Sequence, residues 1–200
     1  MDSCVTAAVF SKREINMDKS IIVVDCQFDF IYGSLACEKS EDAVRRIVRY
    51  INSNNVMPLY SMDWHSPDNK SFGINGGSWP VHCVQGDEGA MLHDDFDRSI
   101  SLPWQRPNEG NVFRKGMDDD TEEYSAFYAV REDGKKLSEV LTKNVVVAGI
   151  ATEFCVRETV LELLKNGHDV ELLADGLGYV DKENHNKTLE ELKELGVKLI

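Results

Sequence analysis

The chain has 200 residues, 42% of them hydrophobic, which is enough to bury one sizeable core in a single domain. Its 22 Lys and Arg stand against 35 Asp and Glu, a formal charge of −13 that repels phosphate backbones and anionic lipid and argues against nucleic acid or a membrane as partner. The five cysteines, Cys4, Cys26, Cys37, Cys83 and Cys155, are odd in number, scattered and outside any CxxC pair, a poor match to a secreted disulfide framework, so a cytoplasmic setting is expected.

Residues 1–16 match no periodic element and read as an extension, disordered or foreign to the domain, ahead of a domain spanning 17–200. No apolar run approaches the ~20 residues of a membrane helix, and the short run after Cys4 does not make a signal peptide. Residues 20–25 form the first buried β-branched run and read as a strand. Residues 41–52 place Ala43, Ile47, Val48 and Ile51 at helical spacing, and 56–60 read as the next strand.

From 61 to 128 the periodicity is poor and Gly, Pro, Trp and His are frequent, the mark of a functional loop region. Its acidic cluster, Asp118-Asp119-Asp120 with Glu122 and Glu123, reads as a solvated loop. Residues 135–141 repeat Leu137, Val140 and Leu141 as a crossover helix, and 144–150 read as a strand. A helix follows Ile150, with Thr152 as N-cap, Glu153 near the positive end of the dipole, a stripe of Val156, Val160, Leu163 and Leu164, and Gly167 as the stop. Residues 169–174 (strand), 188–195 (helix, on Leu189, Leu192 and Leu195) and 197–200 (strand) complete the chain. This alternation predicts an α/β domain: a mostly parallel central sheet with helices on both faces, a Rossmann-type three-layer arrangement.

In such a sheet ligands bind at the carboxyl ends of the strands, where Asp25 ends the first run. Asp25 is thus a candidate buried carboxylate, or simply the cap of the next turn. Cys155 falls in the first turn of the helix after residues 144–150, where orphan N–H groups and the dipole lower a thiol pKa and can receive an oxyanion. The alternative is a buried cysteine acting as a small hydrophobe. An Asp serves as base to a thiol when burial and a nearby cation tune it. Lys115 is the candidate cation, with Arg114 a rival and an ordinary surface lysine the plainer reading.

The third constellation is Asp63-Trp64-His65 with His82 downstream in Trp79-Pro80-Val81-His82-Cys83. Two histidines and a carboxylate suit Zn, Mn or Fe and leave positions open. Strand alternation sends Asp63 and His65 to one side and Trp64 to the other, and disfavours Cys83 beside His82. His93, His168 and His185 lie outside the cluster and read as surface or cap residues.

Together these segments resemble the nicotinamidase/pyrazinamidase branch of the isochorismatase-like cysteine hydrolases. The matching stretches are Val23-Val24-Asp25-Cys26-Gln27-Phe28-Asp29-Phe30, Gly33-Ser34-Leu35, Asp63-Trp64-His65, Ser71-Phe72, residues 79–86 with Gly89-Ala90, Lys115-Gly116, Tyr124-Ser125-Ala126-Phe127 and residues 149–155. The resemblance implies an isochorismatase-like fold and an amidohydrolase that turns nicotinamide into nicotinate and ammonia through a cysteine thioester, serving NAD salvage. It implies an Asp25-Lys115-Cys155 triad, an oxyanion hole at the Ala151 and Cys155 amides, a cis peptide at Ile150-Ala151, and one divalent metal on Asp63, His65 and His82, zinc by family with Mn, Fe or Mg open. It also implies that Phe30, Leu35, Trp79 and Tyr124 wall a flat pocket, where the alternative is core packing. Many relatives carry another histidine four residues after the position of His65; here it is Asn69, leaving Asp68, Asn69 or water to complete the metal sphere. The rival functions are action on another small carboxamide or ureido compound, and a non-catalytic metal-binding or redox-sensing relative. Oligomeric state is left open.

Overall fold

A computed structural model describes residues 18–200; the expected N-terminal extension and Cys4 lie outside them. The strands are β1 (Lys19–Val24), β2 (Met57–Asp63), β3 (Val112–Lys115), β4 (Asn144–Gly149), β5 (Asp169–Leu177) and β6 (Lys198–Leu199). The α-helices are α1 (Phe28–Ile31), α2 (Ser40–Ser53), α3 (Asp95–Arg98), α4 (Arg157–Lys165) and α5 (Lys182–Glu194). All six strands run parallel in the order β3-β2-β1-β4-β5-β6. The connection reverses direction between β1 and β4, so a crevice opens beyond their carboxyl ends.

The parallel sheet is covered on both faces because its strands are apolar on both. In β1, Ile21 and Val23 join one core with Val44, Ile47, Val48 and Ile51 of α2. Ile22 and Val24 point the other way, into a core with Val160 and Leu163 of α4 and Leu192 of α5. Ile21, Ile22, Val23 and Val24 are all fully buried, and each contributes ~1.5–3 kcal/mol of apolar burial.

Three expectations are corrected. β3 was not anticipated: it is four residues long and carries two cations, and its pairing with β2 comes from Tyr60↔Val112 through Asp63↔Lys115. Residues 135–141 form no crossover helix but a single 3₁₀ turn, Leu137–Glu139. The segment follows a left-handed Gly134 and the Lys136 N–H is taken by the Glu139 carboxylate at 2.6 Å, and so few residues cannot bear the cost of helix nucleation. The last helix starts at Lys182 rather than 188, because the Asp181 side chain caps it by accepting from Asn184 N–H (2.8 Å) while its first turns carry no apolar stripe. Among the described residues no helix is long and apolar enough to cross a membrane.

Candidate active site

Four strands end at one place. Asp25 follows β1, Asp63 ends β2, Lys115 ends β3, and Cys155 sits in the turn after β4; all four are buried. Asp25 has a left-handed backbone (φ 46°), uncommon for a residue other than glycine. Its Oδ1 accepts from the Ser61 hydroxyl at 2.6 Å. Its Oδ2 lies 3.0 Å from Lys115 Nζ, within ion-pair range. Lys115 Nζ also bonds the Asp63 carboxylate, donates to the Glu123 carbonyl at 3.1 Å and lies 3.5 Å from Cys155 Sγ. One oxygen each of Asp25 and Asp63 and the sulfur of Cys155 lie within 4.8 Å of one another. Arg114 is directed elsewhere, with its guanidinium 4.6 Å from the centre of the Trp64 ring.

Electrostatics here are set by burial. Desolvation pushes the Asp25 carboxyl above the usual carboxylate range, Lys115 opposes this, and Asp63 adds to it. Burial alone would lower Lys115, but Asp25 and Asp63 hold it well above the usual lysine range, so it stays charged. For Cys155 the structure reverses the expectation of a lowered pKa. Desolvation pushes the thiol well up, with Asp25 and Asp63 reinforcing and Lys115 opposing. Burial therefore favours the protonated sulfur.

The turn after β4 also differs from the expectation. Thr152 does not cap the helix; its hydroxyl donates to the Gly178 carbonyl at 3.0 Å, tying this turn to the end of β5. Residues Thr152–Val156 form a π-helical turn, and α4 continues from it to Lys165, with left-handed Gly167 beyond its end. The Ile150-Ala151 peptide is cis. The Ala151 carbonyl accepts from Phe154 N–H (3.1 Å) and Val156 N–H (3.2 Å), and among the described residues the Ala151 N–H has no hydrogen-bond partner. Glu153, expected to favour its own helix, instead accepts from the Val180 and Asp181 N–H groups at the start of α5.

Asp63, His65 and His82 bring ligand atoms within 4.8 Å of one another. His65 Nδ1 is 2.7 Å from the Gly116 carbonyl and His82 Nδ1 is 2.7 Å from the Pro80 carbonyl. Each carbonyl fixes the proton on Nδ1 and turns Nε2 inward as a lone-pair donor, the outer-shell arrangement that orients ligating histidines. Burial lowers the His82 pKa, favouring the neutral, ligating form. This donor set fits a divalent cation. Asn69 is not part of it: its Oδ1 accepts from Ser71 N–H (3.0 Å) and its Nδ2 donates to the Asp118 carbonyl (3.2 Å), so its amide ties two loops together behind His65. Asp68 is exposed. Cys83 turns its sulfur toward the Gly89 carbonyl, 4.0 Å away.

Sequence reasoning passed over the residues that hold these groups in place. Gln27 clamps both sides of the Asp63 backbone, accepting its N–H at 2.8 Å and donating to its carbonyl at 2.7 Å. Asp29 accepts the Cys83 N–H at 2.7 Å, fixing the loop that carries His82. Gln27 lies in the turn after β1 and Asp29 in the first turn of α1, and their two- and four-residue spacing from Asp25 was the available signal.

Phe30, Leu35, Trp79 and Tyr124 all line a cavity that Cys155, Ala151, Asp63, His65 and His82 also line. Phe154 completes the aromatic wall, edge-on to Trp79 with ring centres 5.1 Å apart. Glu122 and Glu123 line the same cavity, so the acidic loop is only partly the solvated segment expected. Among the histidines outside the cluster, His168 lies 3.0 Å from the Thr142 carbonyl and His185 2.9 Å from the Thr152 hydroxyl, as supports of loops and caps.

A parallel sheet thus carries a buried carboxylate, ammonium and thiol at its switch point, beside a histidine-carboxylate cluster. The chain belongs to the isochorismatase domain family, whose model matches residues 19–200. Its relatives narrow this further. It is 32% identical to the nicotinamidase/pyrazinamidase of Mycobacterium tuberculosis over 91% of this chain and 98% of that one. The solved pyrazinamidase of Pyrococcus horikoshii in complex with zinc superposes with a TM-score of 0.78 at 32% identity, covering 92% of this chain and 98% of that one. PnC1 from L. infantum in complex with nicotinate superposes equally well, TM-score 0.78 at 34% identity, covering 92% of each chain.

Proposed function

We propose that this protein is a nicotinamidase, hydrolysing nicotinamide to nicotinate and ammonia in the cytosol and returning the pyridine ring to NAD salvage. The observation that carries the reading is the Asp25 carboxylate, ion-paired with Lys115 and clustered with Cys155, which lines an aromatic cavity that His65 and His82 also line. The M. tuberculosis and L. infantum relatives support the pyridine carboxamide as substrate. The free state of Cys26, Cys37, Cys83 and Cys155 supports a reducing compartment.

Asp25 is the general base. Its carboxylate takes the Cys155 proton while Lys115 holds the carboxylate in place and compensates its charge. The sulfur then attacks the carboxamide carbon, and the developing oxyanion is received by the Ala151 and Cys155 N–H groups. Asp25 returns its proton to the nitrogen as the C–N bond breaks and ammonia leaves. Asp25 next draws a proton from water, which attacks the thioester, and nicotinate and the free thiol are restored. Phe30, Leu35, Trp79 and Tyr124 hold the ring flat between them. Asp63, His65 and His82 would hold the divalent metal, zinc by analogy with the P. horikoshii pyrazinamidase, whose chemistry when bound is a Lewis-acid contact for the ring nitrogen.

The test is ammonia release from nicotinamide by metal-replete protein, with Cys155→Ala as control. Release that is lost in the variant while its metal content persists supports the assignment; undiminished release from the variant refutes it.

A further inference from the structure

The rim of the cavity carries a charge that the reaction steps leave unused. Asp63 lines the cavity but is ion-paired with Lys115, and Glu123, which also lines it, accepts the Gly116 N–H at 2.8 Å. In the same loop, Asp120 pairs with Lys70. Glu122, exposed at the rim, has no cationic partner among the described residues, and what sets it apart is its anchor in the aromatic wall: its Oε1 accepts the Trp79 indole N–H at 2.7 Å. The same indole nitrogen lies 3.2 Å from the Tyr124 hydroxyl, and both rings pack on Phe154. The carboxylate is thus fixed at the mouth by the aromatic wall itself. No Arg or Lys is among the described residues that line the cavity.

We propose that Glu122 is the specificity-determining residue of this site: its uncompensated carboxylate, anchored on Trp79, admits uncharged carboxamides and repels ligands that carry a carboxylate. The inference rests on the amidase reading above and deepens it. A neutral amide approaching the mouth feels little from a fixed charge, whereas an anion within the ~8–10 Å Debye length is repelled. Hydrolysis turns the first kind of ligand into the second. The charge therefore acts against the acid product and against amides bearing an acid group, a repulsive element that gives discrimination without weakening substrate contacts.

The test uses metal-replete Cys155→Ala protein, so that no turnover intervenes, with and without Glu122→Gln. The glutamine keeps an acceptor for the Trp79 N–H and removes only the charge. Nicotinamide and nicotinate are titrated by calorimetry and by tryptophan fluorescence at low salt and at about 0.5 M salt, where the Debye length falls to a few Å. The expected result is a shift in the affinity ratio toward nicotinate of roughly three- to tenfold, as for one partly screened unit charge, fading in high salt. A ratio unchanged by the substitution, or a change that persists at high salt, overturns the inference. Glu122→Ala removes the anchor as well; a ratio that moves only in this variant would make Glu122 a support for Trp79 and also overturn it. If the protein with Glu122 intact binds neither pyridine, the amidase reading fails and takes the inference with it, a result distinct from an unchanged ratio.

Discussion

Lys115 is the residue on which stability and chemistry converge, and Lys115→Met separates them. The lysine is 3% exposed and contacts Asp25, Asp63 and Cys155 at once. Methionine fills much of the same volume but leaves two buried carboxylates facing each other without a cation. Removing one partner of a buried ion pair costs about 3–5 kcal/mol. For a chain of this size each kcal/mol lowers Tm by about 2–4 °C, so a fall of roughly 6–20 °C is expected. The fall should be larger after chelation, because Asp63 then has neither cation beside it. The assay is a thermal melt of wild type and variant, each with and without chelator, alongside ammonia release. Loss of turnover is expected in both metal states, since Asp25 becomes a neutral acid once Lys115 no longer opposes its desolvation. A variant that melts within about 2 °C of wild type would refute the reading of Lys115 as the compensating charge of this cluster.

Other outcomes are open to direct measurement. Cys155→Ala is expected to abolish ammonia release and keep its metal, checked by elemental analysis of the same sample used for turnover. His82→Ala should lose metal and raise KM, because one of three Nε2 or carboxylate donors is gone; unchanged metal content would remove His82 from the site. The acid limb of kcat/KM is expected above the ordinary Asp value of about 4. Burial raises the Asp25 pKa, the base works only when ionised, and activity therefore falls as pH drops through that raised value. A profile flat down to about pH 4 would contradict Asp25 as the base.

The sheet was legible because its strands are buried on both faces and so read as unbroken β-branched runs, as in residues 20–25 and 144–150. β3 escaped notice for the opposite reason. At the sheet's edge it alternates half-buried Val112 and Arg114 with buried Phe113 and Lys115, and its two cations read as surface. That alternation was itself a signal, since it puts Phe113 and Lys115 on the inward side and Arg114 on the other. The 3₁₀ turn at Leu137–Glu139 shows the converse: three apolar residues at helical spacing anchor a loop as well as a helix when the segment is too short to pay for nucleation.

The chemistry of the site was legible in residue type but not in sign. A cysteine in a helix's first turn suggests a lowered pKa only while the turn faces water. Here the thiol is buried beside two carboxylates, and desolvation outweighs Lys115. That environment changes how the nucleophile must be made. A standing thiolate would be an anion packed against Asp25 and Asp63, with one ammonium shared among all three. A protonated sulfur beside an ionised Asp25 leaves the cluster with one charge fewer. On the proposed mechanism the proton moves only as the sulfur closes on an electrophile, when charge passes on to an oxyanion at the Ala151 and Cys155 amides rather than accumulating in the core.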